Sequence, residues 1–438
     1  MKKSTKDSLV VGFALFSMFF GAGNLLFPPY LGLVSGESWL TSLGGFVLAD
    51  VGLALLVLLA VVKGTGKLES VLIRGGKGLA NVIGATAVIC IGPLLAIPRT
   101  AATTYEMGIQ PMLNTSGSVV AVIVSVVFFG LTLVLTIKPS KVVDIVGKVL
   151  TPLLILSLIV LIVLGVLNPI GDISPNVMIE NNLFAEGVSQ GYLTMDALAA
   201  GVFAGVIINA IINKGYNETS EKVTLTIKAG LVAAVALAVI YGGLTYLGAT
   251  LSTKFGVETP QALLMVEITS ALLGNPGKIL LCVIVSLACL TTSIGLTSAT
   301  GEYFSNVTNG KVKYETIVVL VCVFSAVVSN FGVGTIIKFS APILETVYPV
   351  LMALVLLSLT CSRVRNDNIF KGSAYVTLIV SLLTVANGLW GVVPVMSKLP
   401  LAPLGFNWIL PAIGGAIIGS FIKDKKSSFL LKDKYGTE

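Results

Sequence analysis

Long apolar stretches alternate with short polar segments along nearly the whole chain. A helix that crosses a membrane needs about 20 apolar residues, and by that rule the pattern predicts about twelve spans. Their approximate bounds are 8–33, 38–62, 80–104, 118–137, 143–167, 191–213, 224–251, 277–303, 314–332, 338–361, 370–392 and 404–422. The longest polar connection, about residues 168–190, is too short to form a domain. The pattern therefore predicts an all-α polytopic membrane protein, with residues 1–438 forming one transmembrane domain.

The composition argues against a soluble protein. Hydrophobic residues make up 55% of the chain and charged residues only 11%, with a mean hydropathy of +0.97, whereas soluble domains carry about 25% charged residues. The chain has no histidine, and its five cysteines lack the pair spacing of a metal site. We therefore expect neither a metal-dependent enzyme nor a bound cofactor.

The distribution of charge predicts the topology. Most of the 28 basic residues lie at the two termini or in the short loops that follow the even-numbered spans, whereas the other loops are neutral or acidic. Basic loops remain on the cytoplasmic side of a membrane, so both termini are expected to be cytoplasmic and the number of spans to be even. The net charge of +7 is explained by this pattern and does not indicate a nucleic-acid partner.

The first span contains an interruption at Phe19–Pro29, where two glycines, an asparagine and a proline pair occur together. Irregular backbone at membrane depth persists only where protein buries it or where it lines a cavity, and secondary transporters bind substrates and ions at such breaks. Free amides at the start of the second half-helix would face an anion such as a carboxylate; these are the amides of Gly21, Ala22, Gly23 and Asn24. The alternative is a proline-kinked helix with close glycine packing, and the coincidence of residue types favours the functional interpretation.

A second segment rich in glycine and polar residues opens the sixth span at Gly191–Leu198, with Gly201 and Gly205 following. Many transporters consist of two inverted halves, each with a broken helix in the corresponding position. We therefore predict a five-plus-five inverted repeat in which helices 1 and 6 are discontinuous. For Gly201 and Gly205, helix packing through small residues is an equally good interpretation. The two halves would cover about residues 8–167 and 191–361, and two added helices about 370–422.

Two groups of oxygen atoms are candidates for binding a cation. The carbonyl groups of Ser17 and Phe20, just before the first break, form one group. The other lies within Ala288–Ser293 in the eighth span, where Thr291 and Thr292 place adjacent hydroxyl groups near mid-membrane depth. Hydroxyl groups in helices also bond to the carbonyl group four residues earlier, so a structural role remains an open alternative.

Charged side chains within spans indicate function by default. Arg99 lies in the outer part of the third span and Glu345 in the outer part of the tenth. These two residues would form either a gate over the substrate or a static ion pair. Asp196 lies early in the sixth span, where it would either take part in coupling or cap the second half-helix.

Two motifs connect the chain to a known family. The segments Gly21–Gly32 (GAGNLLFPPYLG) and Gly92–Thr100 (GPLLAIPRT) resemble those of the bacterial branched-chain amino acid carriers, the leucine/isoleucine/valine:cation symporters. The similarity extends along essentially the whole chain. It implies cation-coupled uptake of leucine, isoleucine and valine across the cytoplasmic (inner) membrane, and membership of the amino acid–polyamine–cation superfamily with its five-plus-five repeat.

Within that superfamily, the glycine-rich break is similar to the one in sodium-coupled amino acid transporters of the bacterial leucine transporter type. The resemblance implies that Ala22, Gly23 and Asn24 hold the substrate carboxylate. It also implies a sodium site, formed by the carbonyl groups of Ser17, Phe20 and Ala288 and the hydroxyl groups of Thr291 and Thr292. Thr292 stands where the related pattern has serine, which keeps the oxygen ligand.

The sequence thus predicts a secondary symporter that imports branched-chain amino acids by alternating access, with sodium as the coupling ion. The substrate side chain would occupy an apolar pocket that includes Phe203. Proton coupling through Asp196 or Glu345 is the first alternative, and it is disfavoured because histidine is absent and intramembrane carboxylates are few. An enzyme or an ion channel is less favoured, since the chain lacks a metal-ligand cluster and a repeated selectivity filter. The expected partners are the amino acid, sodium and the lipid bilayer.

Overall fold

Helices make up 83% of the structure, and no strand occurs within its described residues. The structure is a computed structural model that describes residues 3–113, 117–137, 151–361 and 364–422. The predicted beginning of the fifth span, residues 143–150, lies outside these ranges. Within them, eight helical stretches are long and apolar enough to cross a membrane. The prediction of an all-α polytopic membrane protein is therefore confirmed.

The helices follow one another along the chain with short connections. Up to residue 113 they are α1 (Lys3–Phe19), α2 (Ala22–Ser35), α3 (Trp39–Val47), α4 (Leu53–Lys63), α5 (Glu69–Leu72), α6 (Lys77–Ile89), α7 (Ala96–Thr103) and α8 (Gln110–Leu113). Those up to residue 273 are α9 (Ser118–Thr136), α10 (Thr151–Leu167), α11 (Leu183–Thr194), α12 (Asp196–Asn213), α13 (Thr219–Ala249) and α14 (Gln261–Leu273). The last are α15 (Asn275–Val307), α16 (Tyr314–Val328), α17 (Val333–Thr360), α18 (Asn368–Trp390) and α19 (Ile409–Phe421).

The first span is broken between α1 and α2, as predicted. α1 ends at Phe19, and Gly21 is extended (φ −125°, ψ −161°) before α2 begins at Ala22. The proline pair, Pro28 and Pro29, lies inside α2 and not at the break. Glycine, whose backbone is the most costly to hold in a helix, therefore marks the interruption.

The sixth span is broken at Met195. α11 ends at Thr194, α12 begins at Asp196, and Met195 between them has a φ of 70°, a left-handed conformation that is uncommon for residues other than glycine. The idea that Gly201 and Gly205 unwind this span is wrong, because both lie within the uninterrupted α12. A single glycine weakens a helix by only about 1 kcal/mol, which tertiary packing overcomes.

Three π-helical turns interrupt the second and third spans. They cover Leu48–Gly52, Cys90–Leu94 and Thr104–Ile109. A π turn shifts the face on which the following side chains lie, and such turns occur mostly at functional sites. The first of them contains Asp50, whose side chain is fully buried. The interior beside the second span is therefore a candidate location for functional residues.

Close glycine contacts hold the broken spans against their neighbours. Gly32 of α2 lies against the carbonyl group of Thr245 in α13, and Gly248 of α13 lies against the carbonyl group of Pro29. A Cβ atom at either glycine would overlap the facing backbone, so only glycine permits the approach. Glycines join α3 to α11 in the same way, and as a result both helix breaks lie in the protein interior.

Two features depart from the boundaries that the pattern predicts. α14 lies where a loop is expected, because it is short and Glu267 interrupts its apolar sequence. α11 begins at Leu183, inside the predicted polar connection, and Asn182 caps it by accepting hydrogen bonds from the amides of Phe184 and Ala185. The sixth span is therefore longer on its outer side than its hydropathy indicates.

Candidate functional site

The two helix breaks face a common cavity of about 380 Å³ in the interior. Its walls come from the first, third, sixth and eighth spans. The lining residues used below are Gly21, Ala22, Gly23, Asn24, Arg99, Thr194, Asp196, Phe203 and Thr292. The cavity thus brings together most of the residues that the sequence predicts for substrate, ion and coupling roles.

Asn24 joins the two breaks. Its side-chain oxygen accepts a hydrogen bond from the amide of Gly21 (2.9 Å), and its Nδ2 donates to Asp196 Oδ2 (3.0 Å). The same Nδ2 also donates a hydrogen bond to the hydroxyl oxygen of Tyr241 in α13. The side chain is thus fully engaged by protein groups, and it holds three spans in register. The Asn24 side chain therefore shapes the site, and its side-chain amide group is not free to bind a substrate.

The amides of Ala22 and Gly23 remain at the start of α2. The Gly21 amide is already bonded to Asn24, whereas the described part of the chain provides no hydrogen-bond acceptor for the next two. The first amides of a helix have no partner inside it, and the helix dipole makes this end positive. The segment Ala22–Gly23 therefore presents an anion-binding backbone to the cavity.

Arg99 places a positive charge beside these amides. Its guanidinium lies so close to Gly23 that a Cβ atom there would be 2.8 Å from Nη2. Nη1 donates to the carbonyl oxygen of Leu193 (2.6 Å) and Nη2 to that of Thr194 (3.3 Å), which are the last carbonyl groups of α11. Arg99 consequently lies at the depth of the breaks. The prediction that it lies in the outer part of the third span is therefore wrong.

Arg99 and Glu345 form no ion pair with each other among the described side chains. Glu345 instead accepts a hydrogen bond from Ser189 (3.4 Å) on the outer half of the sixth span. The static ion pair considered from the sequence is absent in this conformation. A gate that uses both residues stays a prediction, because it concerns their positions in another state.

The predicted sodium ligands of the eighth span cluster at one point. The hydroxyl groups of Thr291 and Thr292 both donate to the carbonyl oxygen of Ala288, at 2.8 and 3.0 Å. Thr292 also reaches the first break, since a Cβ atom on Gly21 would lie 3.0 Å from its Oγ1. The eighth span and the break at Phe20–Gly21 are therefore in contact, as a shared ion site requires.

Asp196 does not cap α12, so that alternative is wrong. The capping position is Met195, which has no capping side chain, and the carboxylate of Asp196 accepts from Asn24 across the cavity. The amide of Asp196 instead lies 3.4 Å from the hydroxyl oxygen of Thr194.

Asp50 is the residue that the sequence analysis missed. It lies in the π turn of the second span, it is 0% exposed, and its Oδ1 accepts a hydrogen bond from the Thr194 hydroxyl (2.6 Å). The same Thr194 hydroxyl oxygen lies 3.4 Å from the amide nitrogen of Asp196, so the two acidic residues are neighbours in the interior. A lone acidic residue inside an apolar span is a sufficient signal to find it.

Apart from Thr100, the rest of the cavity wall is apolar. Phe203 is 5% exposed and lines the cavity. Ile91, Ala96, Ala199 and Leu296 complete this side. An aliphatic side chain placed here would lose contact with water without leaving a protein polar group unsatisfied. The arrangement suits a ligand with an anionic end and an aliphatic end.

The comparison with known proteins agrees with this chemistry. A family model described as "Branched-chain amino acid transport protein" matches residues 4–426. The branched-chain amino acid permease BraB of Bacillus subtilis (strain 168) is 36% identical over 436 residues, covering 94% of this chain and 95% of its own. The permease BrnQ of the same organism is 35% identical over 427 residues, covering 95% and 97%.

Solved structures with the same fold are also transporters. Mhp1, a nucleobase-cation-symport-1 family transporter in a closed conformation, has a TM-score of 0.61 at 13% identity, covering 96% of this chain and 95% of its own. A Na⁺-coupled sialic acid symporter in an outward-open state has a TM-score of 0.61 at 14% identity, covering 96% and 91%. At such low identity the likeness concerns the fold alone. Taken with the match along its length, the chain belongs to the branched-chain amino acid transport protein family.

Proposed function

We propose that the protein is a symporter that imports leucine, isoleucine and valine across the bacterial cytoplasmic membrane with sodium as the coupling ion. The family membership and the named permeases BraB and BrnQ support the substrate class, and the Na⁺-coupled sialic acid symporter supports the ion. The observation that carries the proposal is the meeting of two helix breaks, at Phe20–Gly21 and Met195, on one interior cavity.

We infer twelve spans from the helices. The pairs α1–α2 and α11–α12 each form one broken span, α3–α4 and α6–α8 each form one span that contains π turns, and α9, α10, α13 and α15–α19 cross singly. The broken spans are then the first and the sixth, which is the spacing that a five-plus-five inverted repeat requires. With the basic loops inside, both termini are cytoplasmic.

The substrate carboxylate would bind the free amides of Ala22 and Gly23, with the Arg99 guanidinium beside it. Charge-assisted hydrogen bonds of this kind are about twice as strong as neutral ones, and the buried site screens them little. The aliphatic side chain would lie against Phe203 and Leu296. Leucine, isoleucine and valine differ by one or two carbon atoms, so one apolar pocket would accept all three.

Sodium would bind between the first break and the eighth span. The hydroxyl groups of Thr291 and Thr292 donate their protons to the Ala288 carbonyl group. The lone pairs of both hydroxyl oxygens therefore remain available to a cation. The carbonyl groups of Ser17 and Phe20 would supply the remaining ligands. The ion would thus join α1 to α15 and hold the first break in the shape that binds the carboxylate. Binding of both solutes would then favour closure and release to the cytoplasm.

Uptake of radiolabelled leucine by proteoliposomes tests the proposal. We expect an inward sodium gradient to drive accumulation, and unlabelled isoleucine and valine to compete with leucine. A phenylalanine competitor should have little effect, since the apolar wall at Phe203 and Leu296 is proposed to fit an aliphatic side chain. Accumulation that needs no sodium would contradict the coupling ion. Transport without competition among the three amino acids would contradict the substrate class.

A further inference from the structure

The carboxyl groups of Asp50 and Asp196 lie face to face in the interior, on the second and sixth spans. Asp50 is 0% and Asp196 6% exposed. Both residues meet at Thr194, whose hydroxyl group donates to Asp50 Oδ1 (2.6 Å) and whose hydroxyl oxygen lies 3.4 Å from the amide nitrogen of Asp196. Two buried carboxylates that are such close neighbours cannot both remain ionised, and pairs of this kind share a proton.

The hydrogen bonds around the pair leave one place unfilled. Asp50 Oδ1 accepts from Thr194, and Asp196 Oδ2 accepts from Asn24. Asp50 Oδ2 is buried and has no completed hydrogen bond within the described residues. The Asp196 carboxyl group and the Tyr241 hydroxyl group both interact with the Asp50 carboxyl group. A proton held between the two carboxyl groups would give this oxygen its missing bond.

The charge balance gives the same answer. Arg99 is the fixed positive charge that faces the pair from the described part of the chain. Two carboxylates and one guanidinium leave a net charge of −1 in a medium where a buried charge is costly, and one proton makes the group neutral. The other titratable groups nearby are uncharged at neutral pH: they are Tyr241 on α13, Tyr348 on α17, and Cys289 on α15, which faces Arg99.

We propose that Asp50 and Asp196 form a proton-binding site that holds one proton in the conformation seen here. The site connects the second, sixth and, through Asn24 and Tyr241, the first and seventh spans. Loss of the proton would put two negative charges in contact and push these spans apart. The proton thus acts as a second cation that stabilises the arrangement of both helix breaks seen here, and high pH is expected to weaken leucine binding. This last consequence rests on the proposed transport function.

Asparagine variants mimic the protonated state. In Asp50→Asn, the new amide donates to the remaining carboxylate, and no proton is needed. We expect wild-type leucine binding to weaken at least tenfold as the pH is raised until the pair loses its proton. Asp50→Asn should bind leucine with little pH dependence. Asp196→Asn is a second variant of the same kind, which guards against misfolding of the first. Glu106→Gln is the matched control, since glutamine can still accept the hydrogen bond from the Val333 amide.

Infrared spectroscopy of the purified protein tests the site without substrate. The wild type should show the band of a protonated buried carboxyl group, which disappears at high pH. The band should be absent from the double variant Asp50→Asn/Asp196→Asn and present in Glu106→Gln. A band that persists in the double variant, or a pH dependence that is abolished only by Glu345→Gln, would overturn the proposal. Absence of leucine transport in the wild type would overturn the proposed function and leave this spectroscopic result unaffected.

Discussion

Asn24 and Asp196 are hydrogen-bonded across the two helix breaks, with 3.0 Å between Nδ2 and Oδ2. The bond connects residues that are 172 positions apart in the chain. A direct polar contact therefore connects the first break to the second. The first and sixth spans therefore determine the shape of the cavity together. A change at one break is expected to alter the geometry of the other break as well.

Replacing Asn24 with alanine is expected to disable the site. The variant loses the bonds to Gly21, Asp196 and Tyr241 at once, and each buried group left unsatisfied costs about 1–3 kcal/mol. We expect leucine uptake to fall more than tenfold and the melting temperature to drop. Asn168→Ala is the control, because its exposed side chain makes only a 3.5 Å bond to Leu164. Near wild-type uptake by Asn24→Ala would show that the joint between the breaks is dispensable.

Replacing Thr292 with valine tests the sodium site. Valine keeps the shape of threonine and removes the hydroxyl oxygen, so the sodium concentration for half-maximal leucine uptake should rise about tenfold, a change of about 1.4 kcal/mol. Thr346→Val is a matched control: its hydroxyl makes the same intrahelical bond, to Pro342 (2.9 Å), but lies outside the cavity. An equal effect of both variants would mean that the Thr292 hydroxyl serves only the helix.

Replacing Gly23 with alanine is expected to close the carboxylate site. The new Cβ atom would lie 2.8 Å from Arg99 Nη2 and 2.9 Å from the Phe27 ring, so the guanidinium has to move. We expect leucine affinity to fall at least tenfold, measured by calorimetric titration in sodium buffer. Gly44→Ala should be tolerated, because the nearest atom to its Cβ lies 4.0 Å away. Unchanged affinity in Gly23→Ala would place the carboxylate elsewhere.

Replacing Phe203 with alanine is expected to change selectivity. The shorter side chain enlarges the apolar wall of the cavity, so leucine should bind about tenfold more weakly and phenylalanine should begin to compete. Competition uptake with the three branched-chain amino acids and phenylalanine measures both effects. Phe324→Ala is the control, since Phe324 is 49% exposed on the outside of α16. A variant that keeps the wild-type ranking of competitors would remove Phe203 from the pocket.

The sequence did not predict how deep in the membrane the polar residues lie. Hydropathy places Arg99 in the outer part of its span, yet its guanidinium reaches the carbonyl groups that end α11. The segment Gly191–Leu198 predicts a break in the sixth span, but nothing in the sequence places that break at Met195, because methionine is a good helix former. Asp50 was visible as a charge inside an apolar span, but its importance depends on Asp196, a residue of another helix.

The sequence by itself determined that the chain is an all-helical membrane protein, and it identified the interruption at Gly21–Asn24, because hydrophobic length and glycine content act locally. Its motifs also resembled the family to which the chain belongs. Only the tertiary structure decided that Asn24 bonds to Asp196, that Arg99 lies beside Gly23, and that Asp50 meets a second carboxyl group. Such contacts depend on how distant helices pack, and burial then sets their strength, since charges and hydrogen bonds act most strongly where water is excluded.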